Sequence, residues 1–197
     1  MLAHWTVMDM TMLTEIEKLS ILIGGIAGLY LIGALAWSIV YPARRIWPPK
    51  EATKGIKIRV WAATITIFSA TFLLGISDWN SLGWPAESRW GVGLTLIVLG
   101  NIVVWAGVVE IGFAATSGEV AELKTDGLYR YSRNPQYMAD MAILVGWAVL
   151  SASGWAAFIA AVGVLTLAMA PLAEEPWLEE SYGQQFRNYK SRVRRYI

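Results

Sequence analysis

The sequence contains no cysteine and only one histidine, His4. Without cysteine the chain can form no disulfide, offers no thiolate nucleophile and cannot build a cysteine-based zinc or iron–sulfur site. Because His4 precedes the first apolar run, a catalytic imidazole in the body of the protein and a metal site with several histidines are both excluded. We therefore expect no metal centre.

Charged residues are also scarce. They form 16% of the 197 residues, whereas a typical soluble domain carries about 25%. Hydrophobic residues form 56% of the chain, and the mean hydropathy is +0.46. So little charge covers a water-facing surface poorly, and the sequence predicts that the apolar excess is buried in lipid. The net charge of +1 offers a polyanion no bulk attraction, so no nucleic-acid partner is expected.

Five apolar segments are long enough, or nearly so, to cross a hydrocarbon core of about 30 Å. The last two are halves of one stretch, which the Ser-Ala-Ser-Gly turn at 151–154 divides into an expected helical hairpin. The fold class predicted is an all-α integral membrane protein of about five transmembrane helices, forming a single membrane domain over residues 1–197. The predicted spans are residues 19–40, 58–76, 92–115, 135–150 and 155–170.

Basic residues are distributed unevenly across these spans. All of the 16 except Lys18 and Arg89 fall in segments on one side, which the positive-inside rule assigns to the cytoplasm. Five spans then leave the N-terminus outside and the C-terminus in the cytoplasm, in what we expect to be a bacterial or archaeal cytoplasmic membrane. Tryptophans near the span ends are interpreted as interfacial anchors: Trp37, Trp47, Trp61, Trp79, Trp84, Trp90 and Trp155.

The C-terminal tail carries apolar residues at helical spacing, which predicts a cytoplasmic amphipathic helix that lies on the membrane surface or caps the bundle. Gly183 is expected to weaken or kink this helix. The apolar stripe consists of Leu178, Tyr182, Phe186, Tyr189, Val193 and Tyr196.

Asn134-Pro135 is typical of a helix start, with the asparagine as N-cap and proline at the first helical position. A helix N-terminus favours an anion such as a carboxylate, and Arg133 would strengthen that preference. The alternative is a capped helix whose arginine reaches the phosphate headgroups.

Two adjacent carboxylates, Glu174 and Glu175, follow the fifth predicted span. Their repulsion at a membrane boundary calls for a cationic partner, which is either a structural arginine or a cationic ligand. The hairpin would bring this pair to Asn134 and to the rings of Tyr129, Tyr131 and Tyr137. Such a site would suit a ligand that carries a carboxylate, an ammonium, a sulfonium and an adenine.

Three further polar residues lie within predicted spans. Asn101 and Glu110 belong to the third span and Asp140 to the fourth. Intramembrane polar groups are functional candidates by default, although each could equally be a buried hydrogen-bond partner.

Together these motifs resemble the isoprenylcysteine carboxyl methyltransferase and phospholipid methyltransferase superfamily. The resemblance covers residues 116–197 and rests on DGLYRYSRNPQY at 126–137, EEPWL at 174–178 and YGQQFRNY at 182–189, with a hairpin between the first two. It implies an integral membrane methyltransferase that binds S-adenosylmethionine in a cytoplasmic pocket and releases S-adenosylhomocysteine. Residues 1–115 would form the crevice for a lipophilic acceptor that enters from the membrane.

The family pattern also implies the site. Glu174 would meet polar groups of the cofactor and Glu175 would support it, while Asn134 stands where the family has histidine and cannot act as a base. Ala170 stands where isoprenylcysteine enzymes carry an arginine, so a prenylated carboxylate is not the expected substrate. The remaining residues that the pattern implies around the cofactor are Leu123, Lys124, Tyr129, Pro135, Gln136 and Tyr137.

The function predicted is S-adenosylmethionine-dependent methylation of a lipid or of a small lipophilic amine, thiol or carboxylate. Candidates for a proton acceptor are Glu110, Tyr137 and Glu174. Two alternatives stay open: an NADPH-dependent membrane reductase of the sterol-reductase type, whose related motif ends in an aspartate as at Asp140, and a non-enzymatic membrane assembly factor.

Overall fold

The computed structural model describes residues 14–49, 54–116 and 122–196. In these ranges the chain is mainly helical and contains no strand, in agreement with the predicted all-α class. The helices are α1 (Glu15–Val40), α2 (Lys54–Ser77), α3 (Ala86–Ser88), α4 (Thr95–Thr116), α5 (Pro135–Ser151), α6 (Gly154–Tyr182) and α7 (Gln184–Lys190). Single turns lie at Pro42–Arg44 and Gly127–Arg130, and a π-helical turn at Arg89–Leu94 joins α3 to α4.

Four stretches of the described chain are long and apolar enough to cross a membrane. They are Glu15–Val40, Lys54–Ser77, Ala86–Gly112 and Gly154–Tyr182, which agree with the first, second, third and fifth predicted spans. α5 has 17 residues and extends about 25 Å at 1.5 Å per residue. The count of five spans therefore stays a prediction.

α5 and α6 form the predicted hairpin. Ala152 ends α5 in the left-handed conformation (φ 46°), and Ser153 caps α6 by accepting a hydrogen bond from the backbone N–H of Ala156. The two helices pack along their length, so α5 begins at the end of the bundle where α6 ends. We call this the site end.

Glycines on α4 and in the π-helical turn before it let them approach α5 closely. A Cβ at Gly93 would lie 2.6 Å from the backbone nitrogen of Leu150, and one at Gly100 would lie 2.8 Å from the carbonyl oxygen of Ala139. Any larger residue would push the helices apart, which is the packing role of small residues in membrane helices. At the site end the same face holds Gly107 against the side chain of Gln136.

The last long helix is longer than predicted. α6 continues to Tyr182 with Pro171 and Pro176 inside it, whereas the prediction ended the span at residue 170. Membrane helices tolerate proline because neighbouring groups satisfy the freed backbone carbonyls. Glu174 and Glu175 therefore lie on a helix and not in a tail, and at 3.6 residues per turn their side chains point in directions about 100° apart.

The tail caps the bundle, one of the two predicted arrangements. Gly183 (φ 53°) separates α6 from the short α7, and residues 191–196 are not helical, so the apolar stripe is divided. Phe186 and Tyr189 are buried with Tyr129 in a small core at the site end. Other members packed against this core are Ile111, Leu123, Leu128, Leu178, Tyr182 and Val193.

Candidate active site

A cavity of about 570 Å³ occupies the site end. Its volume lies within the range of about 300–1,000 Å³ that is usual for small-molecule sites. All the long helices contribute to its wall. The residues predicted for the cofactor that line it are Leu123, Lys124, Tyr129, Arg133, Asn134, Gln136, Tyr137, Glu174 and Glu175. Pro135, predicted with them, is buried in the first turn of α5.

The groups that donate hydrogen bonds to Glu174 are neutral. Its Oε1 accepts from the indole Nε1 of Trp47 at 2.7 Å and from the hydroxyl of Tyr137 at 2.5 Å. No residue in the described ranges donates to Oε2, and no lysine or arginine among them forms an ion pair with this carboxylate. A partly buried carboxylate that is held only by neutral groups keeps its charge uncompensated, so this side of the cavity favours a cation.

Glu175 has the opposite surroundings. Arg133 donates to its Oε1 at 2.6 Å, Arg195 binds both oxygens at 2.7 and 2.8 Å, and Lys190 lies 3.5 Å away. The Glu175 side chain is only 6% exposed. Since Arg133 also donates to the carbonyl oxygen of Val193 at 2.6 Å, this network fastens the tail to α6.

The start of α5 differs in one detail from the predicted cap. Asn134 occupies the N-cap position and Pro135 the first turn, yet the asparagine side chain caps no helical N–H. Its Nδ2 instead donates to the carbonyl oxygen of Arg195 at 3.0 Å. Asn134 thus holds the tail beside the cavity, and Arg133, which also lines the cavity, is paired with Glu175.

Two tyrosines connect the tail core to the cavity. The hydroxyl of Tyr129 donates to Oε1 of Gln136 at 3.2 Å, and that of Tyr189 donates to the carbonyl oxygen of Tyr129 at 2.5 Å. Burial raises the pKa of Tyr189 to about 12 and that of Tyr129 well above its ordinary value. Both phenols therefore remain protonated donors at neutral pH.

Three other candidates are placed away from the cavity wall. Glu110 accepts a hydrogen bond from the backbone N–H of Leu128 at 3.3 Å and supports the turn Gly127–Arg130; the described lining of the cavity does not include it. Asn101 is exposed on α4 and donates to the carbonyl oxygen of Ile97. Tyr131 is 65% exposed and stacks under Arg130.

The cavity extends from Glu174 towards the outer surface of the bundle between α2 and α4. Its wall there includes Trp61 and Ile65 of α2 and Trp105 of α4, which are 39%, 57% and 60% exposed. Residues that both line a cavity and face outwards form its rim. This end of the cavity therefore opens at the side of the bundle and not only at its end.

The structure adds two contributors that the sequence does not predict. Trp47 has the position of an interfacial anchor, but it is buried and binds Glu174; nothing in its sequence position separates it from the other ten tryptophans. Arg195 is predicted only as a basic tail residue, but it binds Glu175. The cationic partner expected for the glutamate pair points to an arginine, but the sequence contains several arginines that could serve and does not distinguish Arg195 from the others.

The chain is similar to known proteins over this region. The sequence model of the phospholipid methyltransferase family matches residues 88–185, about half of the chain. The phosphatidylethanolamine N-methyltransferase of Homo sapiens is 32% identical over 112 residues, which are 54% of this chain and 55% of that protein. No solved structure matches the chain.

Fungal proteins of the same name match as well. The one from Aspergillus fumigatus is 27% identical over 134 residues, 60% of this chain and 14% of that protein, and the one from Penicillium rubens is 26% identical over 155 residues, 71% of this chain and 15% of that protein. The chain thus spans about half the length of its human relative and a small part of the fungal ones.

Proposed function

Because the chain belongs to the membrane phospholipid methyltransferase superfamily, we propose that it transfers a methyl group from S-adenosylmethionine to the headgroup amine of a membrane phospholipid. One observation carries the proposal. Glu174, a carboxylate with neutral partners only among the described residues, faces a cavity that also opens towards lipid between α2 and α4. A cationic methyl donor and a lipid acceptor could therefore meet in one enclosed space.

The residues of the cavity fit the methyl donor. Glu174 offers Oε2 to a cationic group or to ribose hydroxyls, and the neutral donors Trp47 and Tyr137 fix its orientation. Gln136 and Tyr129 add an amide and a phenol on the adjacent wall. Leu123 and Lys124 pass beside the cavity, where their backbone can meet the edge of a flat base.

Methyl transfer from S-adenosylmethionine needs few catalytic groups from the protein. S-adenosylmethionine supplies an electrophilic methyl group: the S–CH₃ bond breaks as the N–CH₃ bond forms, and sulfur keeps the electron pair. The chain's task is to hold the acceptor nitrogen in line and to exclude water. The acceptor ammonium must first lose one proton. Of the predicted proton acceptors, Tyr137 and Glu174 line the cavity, and because the Tyr137 hydroxyl already donates to Glu174, it can only relay a proton to that carboxylate.

The acceptor would enter sideways. The rim of Trp61, Ile65 and Trp105 lets a headgroup reach the cavity while its acyl chains stay in the bilayer. We also propose that the site end faces the cytoplasm, since nearly all basic residues belong to segments at that end. Ala170, which also lines the cavity, gives an acceptor carboxylate no cation there.

The first test is ligand binding by the full chain in detergent. S-adenosylmethionine and S-adenosylhomocysteine are expected to raise the melting temperature, because a ligand at 100 times its Kd stabilises by about 2.7 kcal/mol. NADPH is the matched control for a membrane reductase and is expected to leave the melting temperature unchanged. Stabilisation by NADPH alone would support the reductase.

The second test is transfer. The protein is reconstituted in phosphatidylglycerol nanodiscs with added dioleoylphosphatidylethanolamine and methyl-labelled S-adenosylmethionine, and the lipids are analysed by mass spectrometry. The expected product is phosphatidylethanolamine with one to three labelled methyl groups. Nanodiscs without the amine lipid control for transfer to other headgroups. Binding of the methyl donor without label in any lipid would contradict the proposal.

A further inference from the structure

One carboxylate of the cavity has no part in the proposed binding of the methyl donor. Asp140 lies on α5 three residues after Tyr137, a rise of about 4.5 Å further into the bundle, and it lines the same cavity. Gln136 and Asp140 are four residues apart, so they share one face of the helix. In the part of the chain that the structure describes, Asp140 has no hydrogen bond and no ion pair.

Among the described residues, the neighbours of Asp140 include no cation that would compensate a negative charge on its side chain. Its neighbours Met141 and Leu144 belong to an apolar cluster that Phe68 of α2 and Tyr137 also join. The cations that line the cavity lie at the site end, where Lys124 is 3.3 Å from Asp126 and Arg133 is paired with Glu175. A carboxylate inside a membrane helix costs free energy unless a cation accompanies it, and such residues usually serve a ligand.

We propose that Asp140 binds the ammonium group of the acceptor headgroup and so selects an amine over an anionic or neutral acceptor. The proposal rests on the proposed function and names the residue that recognises the acceptor headgroup. Glu174 lies at the site end, next to the groups that fit the methyl donor, whereas Asp140 lines the same cavity one helical turn beyond Tyr137, the residue that donates to Glu174. The two carboxylates thus offer two cations separate positions in one cavity.

A thiolate or carboxylate acceptor would be repelled by Asp140 at this position. An ammonium would instead gain a charge-assisted hydrogen bond, which is about twice as strong as a neutral one. The same carboxylate can take the proton that the ammonium must lose before its nitrogen lone pair attacks the methyl group. The nitrogen then forms its bond to carbon while sulfur retains the electrons of the broken bond.

The test compares the wild-type chain with Asp140→Asn, which keeps the shape and removes the charge. In phosphatidylglycerol nanodiscs the KM for dioleoylphosphatidylethanolamine is expected to rise about 10- to 100-fold, the usual worth of a hydrogen bond to a charged group. The Kd for S-adenosylmethionine is expected to stay unchanged. An unchanged KM, or an equal loss of affinity for the methyl donor, would overturn the proposal.

Glu87→Gln is the matched control, because it also removes one carboxylate but lies on the exposed helix α3 outside the cavity wall. Folding is controlled by the melting temperature. Because Asp140→Asn removes an unpaired charge, the variant is expected to melt at the same temperature as the wild type or higher. A lower melting temperature would indicate a structural role for Asp140 and contradict the proposal.

A binding measurement separates this inference from the proposed function. Trp61 and Trp105 line the cavity, so their fluorescence reports titration with decylammonium, a cation that keeps its N–H donors and cannot be methylated while S-adenosylmethionine is absent. Asp140→Asn is expected to weaken this binding at least about tenfold, and decyl sulfate is the anionic control. If the cation binds through Asp140 but no lipid is methylated, the proposed function fails alone. If lipid is methylated and Asp140→Asn changes neither KM nor cation binding, this inference fails alone.

Discussion

Glu174 and Glu175 are adjacent on α6, yet they face different chemistry. Glu174 points into the cavity and is held by an indole and a phenol, both neutral. Glu175 points to the tail and is surrounded by Arg133, Arg195 and Lys190. Because one helix turns by about 100° per residue, neighbouring carboxylates can serve two regions.

The difference separates assembly from binding. A carboxylate with three cationic partners has no capacity left for a ligand and instead holds two segments together. A carboxylate with neutral partners is positioned but still uncompensated, so it can receive a cation from outside. The sequence predicts either an arginine or a cationic ligand as the partner of this pair. In the structure Glu175 has the arginines, so Glu174 is the residue that can receive a cationic ligand.

The largest expected effect is the loss of stability in Glu175→Gln. Arg133 would remain buried without its carboxylate, and breaking a buried ion pair costs about 3–5 kcal/mol. The Arg133 side chain is only 9% exposed, so water cannot replace the partner. The measurement is the melting temperature of the purified chain in detergent. A melting temperature equal to that of the wild type would show that Glu175 does not stabilise the attachment of the tail to α6.

The same substitution one residue earlier is its matched control. Glu174→Gln preserves an oxygen that can accept from Trp47 and Tyr137, so its melting temperature is expected to change little. The Kd for S-adenosylmethionine is expected to rise about 10- to 100-fold, because a hydrogen bond to a charged group contributes about 1.5–3 kcal/mol. Isothermal titration checks this value. Unchanged affinity for the methyl donor would show that the charge of Glu174 does not bind it.

Much of the fold follows from patterns along the chain. Apolar length predicts the long helices, and the turn at 151–154 together with the order of the motifs predicts that α5 and α6 meet. The end of α6 was missed because Pro171 and Pro176 mimic a helix stop, while packing and tail contacts satisfy the helix beyond them. Propensity alone cannot anticipate such tertiary compensation.

The roles within the site are harder to predict. Whether a glutamate faces the cavity or the tail depends on the rotation of α6, and this rotation depends on the helix continuing past the prolines. Trp47 is one of 11 tryptophans, and only the folded chain places its N–H against Glu174. Glu175 and Arg195 are 20 residues apart, on either side of the break at Gly183.

A smaller effect is expected from Tyr137→Phe. The substitution removes the hydroxyl that donates to Glu174 at 2.5 Å and leaves the ring in place. With only Trp47 to orient it, the carboxylate becomes more mobile, and the Kd for S-adenosylmethionine is expected to rise about tenfold or less, since one hydrogen bond contributes about 1 kcal/mol. Titration of the variant beside Glu174→Gln gives the order of effects. A loss larger than that of Glu174→Gln would indicate that Tyr137 itself binds the ligand.

The smallest effect tests the tail side of the comparison at Asn134. Asn134→Ala removes one hydrogen bond to the carbonyl oxygen of Arg195, a cost of about 1 kcal/mol, and it leaves all three cations around Glu175. A modest fall in melting temperature is expected, with the affinity for S-adenosylmethionine unchanged. If the affinity falls instead while the melting temperature holds, Asn134 belongs to the binding region. The boundary between assembly and binding would then lie at the start of α5 as well as between two residues of α6.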